Sequence, residues 1–200
     1  EPVSLYYGDF DGNGILDPVF CYYIDSLSYP AAARDDMVEQ LPALKGKFNN
    51  YASYANATIS EIFSPEQLKG AGVLEARLLQ SVFLRNDGEA GLALHYLPRE
   101  AQYAPVYAMA SFDIDKDGKK DIILSGNDSW TRIKFGSYRA NHGIVLTGDG
   151  KGNFSCMPQF LSGLKMRYDV KSMEILNTPK GTLLVAGAND DSVKTYLPGR

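Results

Sequence analysis

Two short segments of the chain, DFDGNGILD and DIDKDGKKD, carry oxygen-bearing side chains at positions one, three, five and nine. When such a loop curls, its alternate side chains point into one concavity, and a glycine at position six (Gly14 or Gly118) permits the sharp bend. Position seven adds a backbone carbonyl. Because Ca²⁺ takes about six to eight oxygen ligands, each segment is predicted to bind one calcium ion. The predicted ligands are Asp9, Asp11, Asn13, Ile15 and Asp17 in the first segment and Asp113, Asp115, Asp117, Lys119 and Asp121 in the second.

Other interpretations of these segments fit less well. An EF-hand requires Glu at position twelve and helices on both sides, whereas position twelve is Phe20 or Leu124 and strand-forming residues flank both segments. Mg²⁺ is disfavoured because it demands tighter octahedral geometry and retains its water. A polar turn without a metal remains the alternative, since Asp, Asn and Gly are common in turns. The complete set of ligand positions in two separate segments favours the metal.

The rest of the chain alternates strand-like segments with turns and repeats itself. Asp87-Gly88 recurs as Asp149-Gly150, and LSGND recurs as VAGAND. Residues 31–72 interrupt this pattern with helical spacing at positions such as Met37 and Leu41, and they are interpreted as an insertion. Within them, Ser64 followed by Pro65 and Gln67 predicts a helix start. The predicted copies are 1–104, 105–166 and 167–200.

Each copy is predicted to supply about four antiparallel strands, the content of one propeller blade. The predicted fold is therefore all-β, a partial β-propeller of four-stranded antiparallel blades with a short helical insertion. Propellers close with about four to eight blades, so the remaining blades are expected from a longer chain or from self-association.

Composition excludes several classes of partner. The formal net charge is −4 and the basic residues are scattered, so no nucleic-acid partner is expected. No segment approaches the roughly 18 consecutive apolar residues of a membrane span, so no direct membrane insertion is expected. The chain begins at Glu1 without Met or an apolar leader, so any targeting peptide is expected to have been removed or to lie outside this sequence. Free thiols are favoured over a disulfide between Cys21 and Cys156.

The sequence contains none of the common catalytic motifs, and no catalytic residue is predicted. A candidate ligand-binding surface lies instead in the segment 127–143, where aromatic rings and Arg side chains come together. Such side chains can form a platform for sugar rings or a peptide, or they can pack beneath a long loop. The candidate residues are Trp130, Arg132, Tyr138, Arg139 and His142, together with Phe135.

The two acidic segments, each followed by an apolar strand, resemble the calcium loops of FG-GAP/VCBS-type repeats, as in integrin α-subunit propellers. The turns NDGEAG and GDGKGNF are similar to those of the bacterial VCBS branch. The resemblance covers residues 1–28 and 75–197. It implies a β-propeller with bound calcium, secreted or displayed on the bacterial outer surface.

The resemblance implies binding more often than catalysis. The leading function is therefore a calcium-binding scaffold for adhesion to a glycan or protein partner, rather than an enzyme. The alternative is an accessory domain of a larger calcium-dependent enzyme that acts on polysaccharide.

Overall fold

The architecture is taken from a computed structural model that describes residues 1–133, 136–179 and 181–197. The strands are β1 (Val3–Gly8), β2 (Asp17–Ile24), β3 (Leu27–Pro30), β4 (Gly72–Ala76), β5 (Val82–Asn86), β6 (Leu92–Tyr96), β7 (Val106–Phe112), β8 (Asp121–Gly126), β9 (Ile144–Gly148), β10 (Phe154–Met157), β11 (Val170–Thr178), β12 (Gly181–Ala188) and β13 (Lys194–Tyr196). The helices are α1 (Arg34–Gln40), α2 (Leu44–Lys47), α3 (Tyr51–Tyr54), α4 (Ile59–Ile62), α5 (Pro65–Gly70) and α6 (Gln159–Ser162). In the described part of the chain, 3₁₀ turns lie at Gly88–Ala90 and Arg99–Gln102.

The chain divides into two compact units, of which the first is Glu1–Leu79. Its antiparallel sheet has the order β3-β2-β1-β4. Burial alternates along β2, where Val19 and Cys21 are buried and Phe20 is exposed, because successive side chains of a strand point to opposite faces. The buried face packs against the helices of residues 34–70 through side chains such as Met37 and Phe63.

The helical region lies in the chain between β3 and β4, two strands of the first sheet. Helix α5 starts as the sequence predicts: Ser64 Oγ accepts from the Gln67 amide, the Gln67 side chain accepts from the Ser64 amide, and Pro65 occupies the first turn. After α5 the chain returns as β4, which pairs with β1 rather than with β3. The predicted insertion 31–72 therefore connects two strands of the same sheet.

The second unit is Gln80–Arg200. Its largest sheet is an antiparallel meander of order β10-β9-β8-β7, and it is accompanied by the sheet β11-β12-β13 and the hairpin β5-β6. One face of the meander packs on the sheet β11-β12-β13, where Ile123 and Val145 share a core with Leu184. The opposite face meets the hairpin, where the Phe83 and Phe154 rings lie 5.2 Å apart. On this face Leu124 and Leu146 share a core with Ala101 of the 3₁₀ turn Arg99–Gln102.

The predicted β-rich, antiparallel architecture with a short helical region is confirmed. The described residues form no closed ring of sheets. The boundary between the compact units falls within the predicted copy 1–104, because the hairpin β5-β6 packs on the second unit; Arg85 Nη1 donates to Lys151 O at 2.8 Å. The copies 105–166 and 167–200 contain the meander and the third sheet. In the described part of the chain, no helix has the length and hydropathy of a membrane span.

Candidate metal centres

Each acidic segment forms the connection of a β-hairpin. The first joins β1 to β2, and Gly8 pairs with Asp17 where the two strands meet the loop. The second joins β7 to β8, with Phe112 paired to Asp121. Position nine of each segment therefore begins a strand, and the other acidic side chains lie in the loop. The glycine at position six is left-handed in both, with φ of +84° at Gly14 and +86° at Gly118.

In the first loop, backbone N–H groups draw the acidic side chains together. The amides of Asn13 and Gly14 donate to Asp9 at 2.9 and 2.8 Å, and the Asn13 amide also donates to Asp11 at 3.1 Å. The Ile15 amide donates to Asn13 Oδ1 at 2.7 Å. Asp17 reaches back into the loop and accepts from the amide of residue 10 at 3.0 Å.

The second loop repeats all five hydrogen bonds at the equivalent positions. The amides of Asp117 and Gly118 donate to Asp113 at 3.1 and 2.9 Å, and the Asp117 amide also donates to Asp115 at 3.1 Å. The Lys119 amide donates to Asp117 Oδ1 at 2.8 Å. The amide of residue 114 donates to Asp121 at 2.8 Å. Two segments with different residues at five of their nine positions therefore adopt one conformation.

This conformation gathers carboxylates into clusters that can hold a metal ion. In the first loop, one oxygen from each carboxylate lies within 4.8 Å of the others; the residues are Asp9, Asp11 and Asp17. In the second loop the cluster comprises Asp113, Asp115 and Asp117. The predicted acidic ligands are thus brought together in both loops, except that Asp121 is not a member of the second cluster.

Asp121 differs from Asp17 because it has a second structural partner. Its side chain is fully buried, and Oδ1 accepts from the Gly148 amide of β9 at 2.9 Å while Oδ2 accepts from Ile114. Both of its oxygens are therefore engaged with backbone donors. Asp17 is also buried, but among the described residues it accepts from the Phe10 amide only.

The local electrostatics favour ionised carboxylates. Hydrogen bonding from the Gly14 amide lowers the pKa of Asp9. Lys119 Nζ lies 2.7 Å from Asp117 Oδ2, and this hydrogen-bonded ion pair lowers the pKa of Asp117 and raises that of Lys119. In the first loop, Ile15 occupies the position of Lys119. The side-chain Nδ2 of Asn13 donates to Asp11 Oδ2 at 3.1 Å. The second loop therefore carries an internal cation where the first has none.

The predicted ligand surface of segment 127–143 is only partly assembled. Trp130 is 72% exposed, Arg132 is exposed, and Phe135 lies outside the described residues. Tyr138 bridges to Asp128 through its backbone, and Arg139 Nε donates to Ser129 Oγ at 3.2 Å. His142 lies elsewhere, in a groove whose described lining contains none of the other candidate residues.

The groove that contains His142 was not predicted from the sequence. It has a volume of about 370 Å³ and is lined by Glu100, Tyr103 and His142, together with the chain around Pro158. These residues come from three separate connections, before β7, between β8 and β9, and after β10. Because no local motif links them, the sequence offers no signal that they meet.

Buried asparagines hold the base of the long loop. Asn127 is fully buried; its side chain donates to Asn141 O at 2.7 Å and accepts from the Asn141 amide at 2.9 Å. Cys21 and Cys156 both carry free thiols, as favoured from the sequence. Burial raises the pKa of Cys21 to about 11, so this thiol is a packed core residue rather than a nucleophile.

Comparison with known proteins adds no family assignment: the chain matches no protein-family model, no curated protein and no solved structure.

Proposed function

We propose that the chain is a calcium-stabilised β-scaffold whose two acidic loops each bind one Ca²⁺. The observation that carries this proposal is the recurrence of the same five hydrogen bonds in both loops, each of which gathers three carboxylates. Clustered ionised carboxylates repel one another, and a cation offsets that repulsion. Carboxylate oxygens keep further lone pairs after accepting one N–H, so the loop hydrogen bonds are compatible with metal binding.

In this proposal the ligands come from positions one, three, five and nine and from the carbonyl at position seven, where Ile15 and Lys119 lie. All are oxygen donors, which is the preference of Ca²⁺, and water completes the shell. In the second loop Asp121 contributes less than Asp17, because its carboxylate is fully buried and lies outside the acidic cluster of that loop. The chemistry that the ion supplies is structural, since it neutralises the loop and fixes the hairpin.

The proposal extends to architecture and setting. One face of the meander β10-β9-β8-β7 packs on the sheet β11-β12-β13, which supports an arrangement of stacked blades as in a propeller. A calcium-dependent scaffold is suited to an extracytoplasmic location, where calcium is plentiful, and the bacterial outer surface is the proposed site. The proposed role there is binding or adhesion to a glycan or protein partner.

Calorimetric titration of chelator-stripped protein with CaCl₂ tests the metal sites. Two sites are expected, with Asp11→Asn abolishing one and Asp115→Asn the other. These positions are preferable to Asp17 and Asp121, which also hold strands together. Asp25→Asn and Asp190→Asn are matched controls, because each removes one exposed carboxylate outside the loops at a left-handed position that Asn tolerates. Absence of heat at millimolar calcium, with an unchanged melting temperature, would contradict the proposal.

A further inference from the structure

The groove of Glu100, Tyr103 and His142 lies at the end of the meander opposite the acidic loop. β7 and β9 begin at Val106 and Ile144, and β10 ends at Met157, so the connections that line the groove share one end of the sheet. Loop 113–120 joins β7 to β8 at the other end. A ligand in the groove is therefore remote from the proposed calcium site within this unit.

Three polar side chains of the groove, those of Glu100, Tyr103 and His142, are available to a ligand. Among the described residues, the Glu100 carboxylate, the Tyr103 hydroxyl and the His142 imidazole form no hydrogen bond or ion pair, although all three line the groove. Tyr103 is 51% exposed, so its ring is open to a ligand. A concave site of several hundred Å³ with a few convergent polar groups is the usual form of a small-ligand site.

The three groups together favour one ligand class. The carboxylate accepts hydrogen bonds, the phenol and imidazole both donate and accept, and the Tyr103 ring offers an apolar face. An anion is opposed by the charge of Glu100. An apolar ligand would leave the polar groups unpaired, and a cation cannot accept from the phenol or imidazole. A neutral saccharide has hydroxyls that donate and accept, and it has a C–H face that stacks on an aromatic ring.

We infer that this groove binds a neutral saccharide, with Tyr103 stacking on a sugar ring while Glu100 and His142 hydrogen-bond to its hydroxyls. The inference rests on the proposed binding function and names its ligand class. It also reassigns the predicted ligand surface: His142 belongs to the saccharide site, and Trp130, Arg132, Tyr138 and Arg139 lie outside it.

Calorimetric titration of the full chain with maltohexaose, cellohexaose, xylohexaose and chitohexaose tests the inference. At least one is expected to bind with a Kd at or below about 1 mM. Glu100→Gln, Tyr103→Ala and His142→Ala should each weaken binding by about tenfold or more, since each leaves sugar hydroxyls or a ring face unpaired. Glu89→Gln and Tyr96→Ala, which alter exposed residues outside the groove, are the matched controls and should leave the Kd unchanged. Urea unfolding midpoints establish that each variant is folded.

Absence of binding by all four oligosaccharides at millimolar concentration would overturn the inference. So would binding that the groove variants retain, or binding of hexa-arginine that Glu100→Gln abolishes, which would assign the groove to a cation. Each titration is run with calcium and with EGTA. Saccharide binding without any calcium heat would refute the metal proposal and leave the groove assignment standing. Calcium heat without saccharide binding would do the reverse.

Discussion

At the scale of single residues, the two loops differ most in their cations. The first contains no basic residue between Asp9 and Asp17, whereas the second contains Lys116, Lys119 and Lys120. Among the residues that the structure describes, only Lys119 is ion-paired to a predicted ligand, at 2.7 Å from Asp117 Oδ2. A metal ion entering this loop must displace that ammonium group from its carboxylate. The two proposed sites are therefore expected to differ in calcium affinity although their backbone conformation is the same.

Replacement of Lys119 by Gln is expected to raise the calcium affinity of the second loop. The ammonium group competes with the metal for Asp117, so its removal should tighten binding by about two- to fivefold. Lys116→Gln removes the same charge without removing an ion pair and serves as the control. Calorimetry on both variants measures the difference, and equal affinities would show that the ion pair does not compete with the metal.

The stability of the folded chain is expected to depend on pH through Asp149, which lies in the turn between β9 and β10. Hydrogen bonds from the Asn153 side chain, at 2.6 Å, and from the Lys151 and Asn153 amides lower its pKa from 3.8 to about 2. Because the pKa is lower in the folded state, the turn contributes stability above about pH 3.8, and that contribution is lost as the pH falls towards 2.

The urea midpoint of the native chain should accordingly fall more steeply between pH 4 and pH 2 than that of Asp149→Asn, which has no carboxylate to titrate. Asp190→Asn removes a carboxylate outside the turn and should retain the native slope. Parallel curves for the native chain and Asp149→Asn would refute the assignment.

At the scale of secondary-structure elements, Asp121 connects three segments of the meander. It begins β8, accepts from Ile114 in the loop and accepts from Gly148 at the end of β9. Asp17 begins β2 but, among the described residues, accepts from one backbone amide. Asp121 is therefore expected to contribute more to the stability of its unit than Asp17 contributes to the first.

Asp121→Asn is expected to lower the free energy of unfolding by about 1–3 kcal/mol even in EGTA, because its NH₂ group leaves one buried amide donor without an acceptor. Asp17→Asn should have a smaller effect under the same conditions. Urea unfolding of both variants in EGTA measures the contrast. Equal effects would mean that the Gly148 hydrogen bond contributes nothing.

At the scale of the whole molecule, limited digestion with trypsin is expected to separate the two compact units. The Arg77 side chain is 80% exposed and follows β4, close to the boundary after Leu79. In calcium, trypsin is expected to cut first after Arg77 and to yield fragments 1–77 and 78–200. In EGTA, additional cuts are expected in the second acidic loop, after Lys116, Lys119 and Lys120, because the loop loses its ion.

Mass spectrometry of a digestion time course identifies these sites. Arg77→Gln should remove the first fragment pair without altering the calcium-dependent cuts. A digestion in which loop cleavage proceeds equally with and without calcium would show that no ion protects the second loop.

The sequence by itself determined the features that depend on neighbouring residues. The acidic loops could be predicted because their hydrogen bonds join residues within nine positions, as from Gly14 to Asp9. The start of α5 could be predicted for the same reason, since Ser64 and Gln67 cap one another across a single turn. The alternation of β2 likewise follows from the period of a strand.

Only the tertiary structure decided the features that join distant segments. The second backbone donor to Asp121 comes from β9, the Asn127–Asn141 pair closes a long loop, and the groove brings Glu100 to His142. The boundary after Leu79 depends on the face on which the hairpin β5-β6 packs. Such contacts are selected by competition among many apolar faces, and strand periodicity specifies which side chains face inward without specifying what they meet.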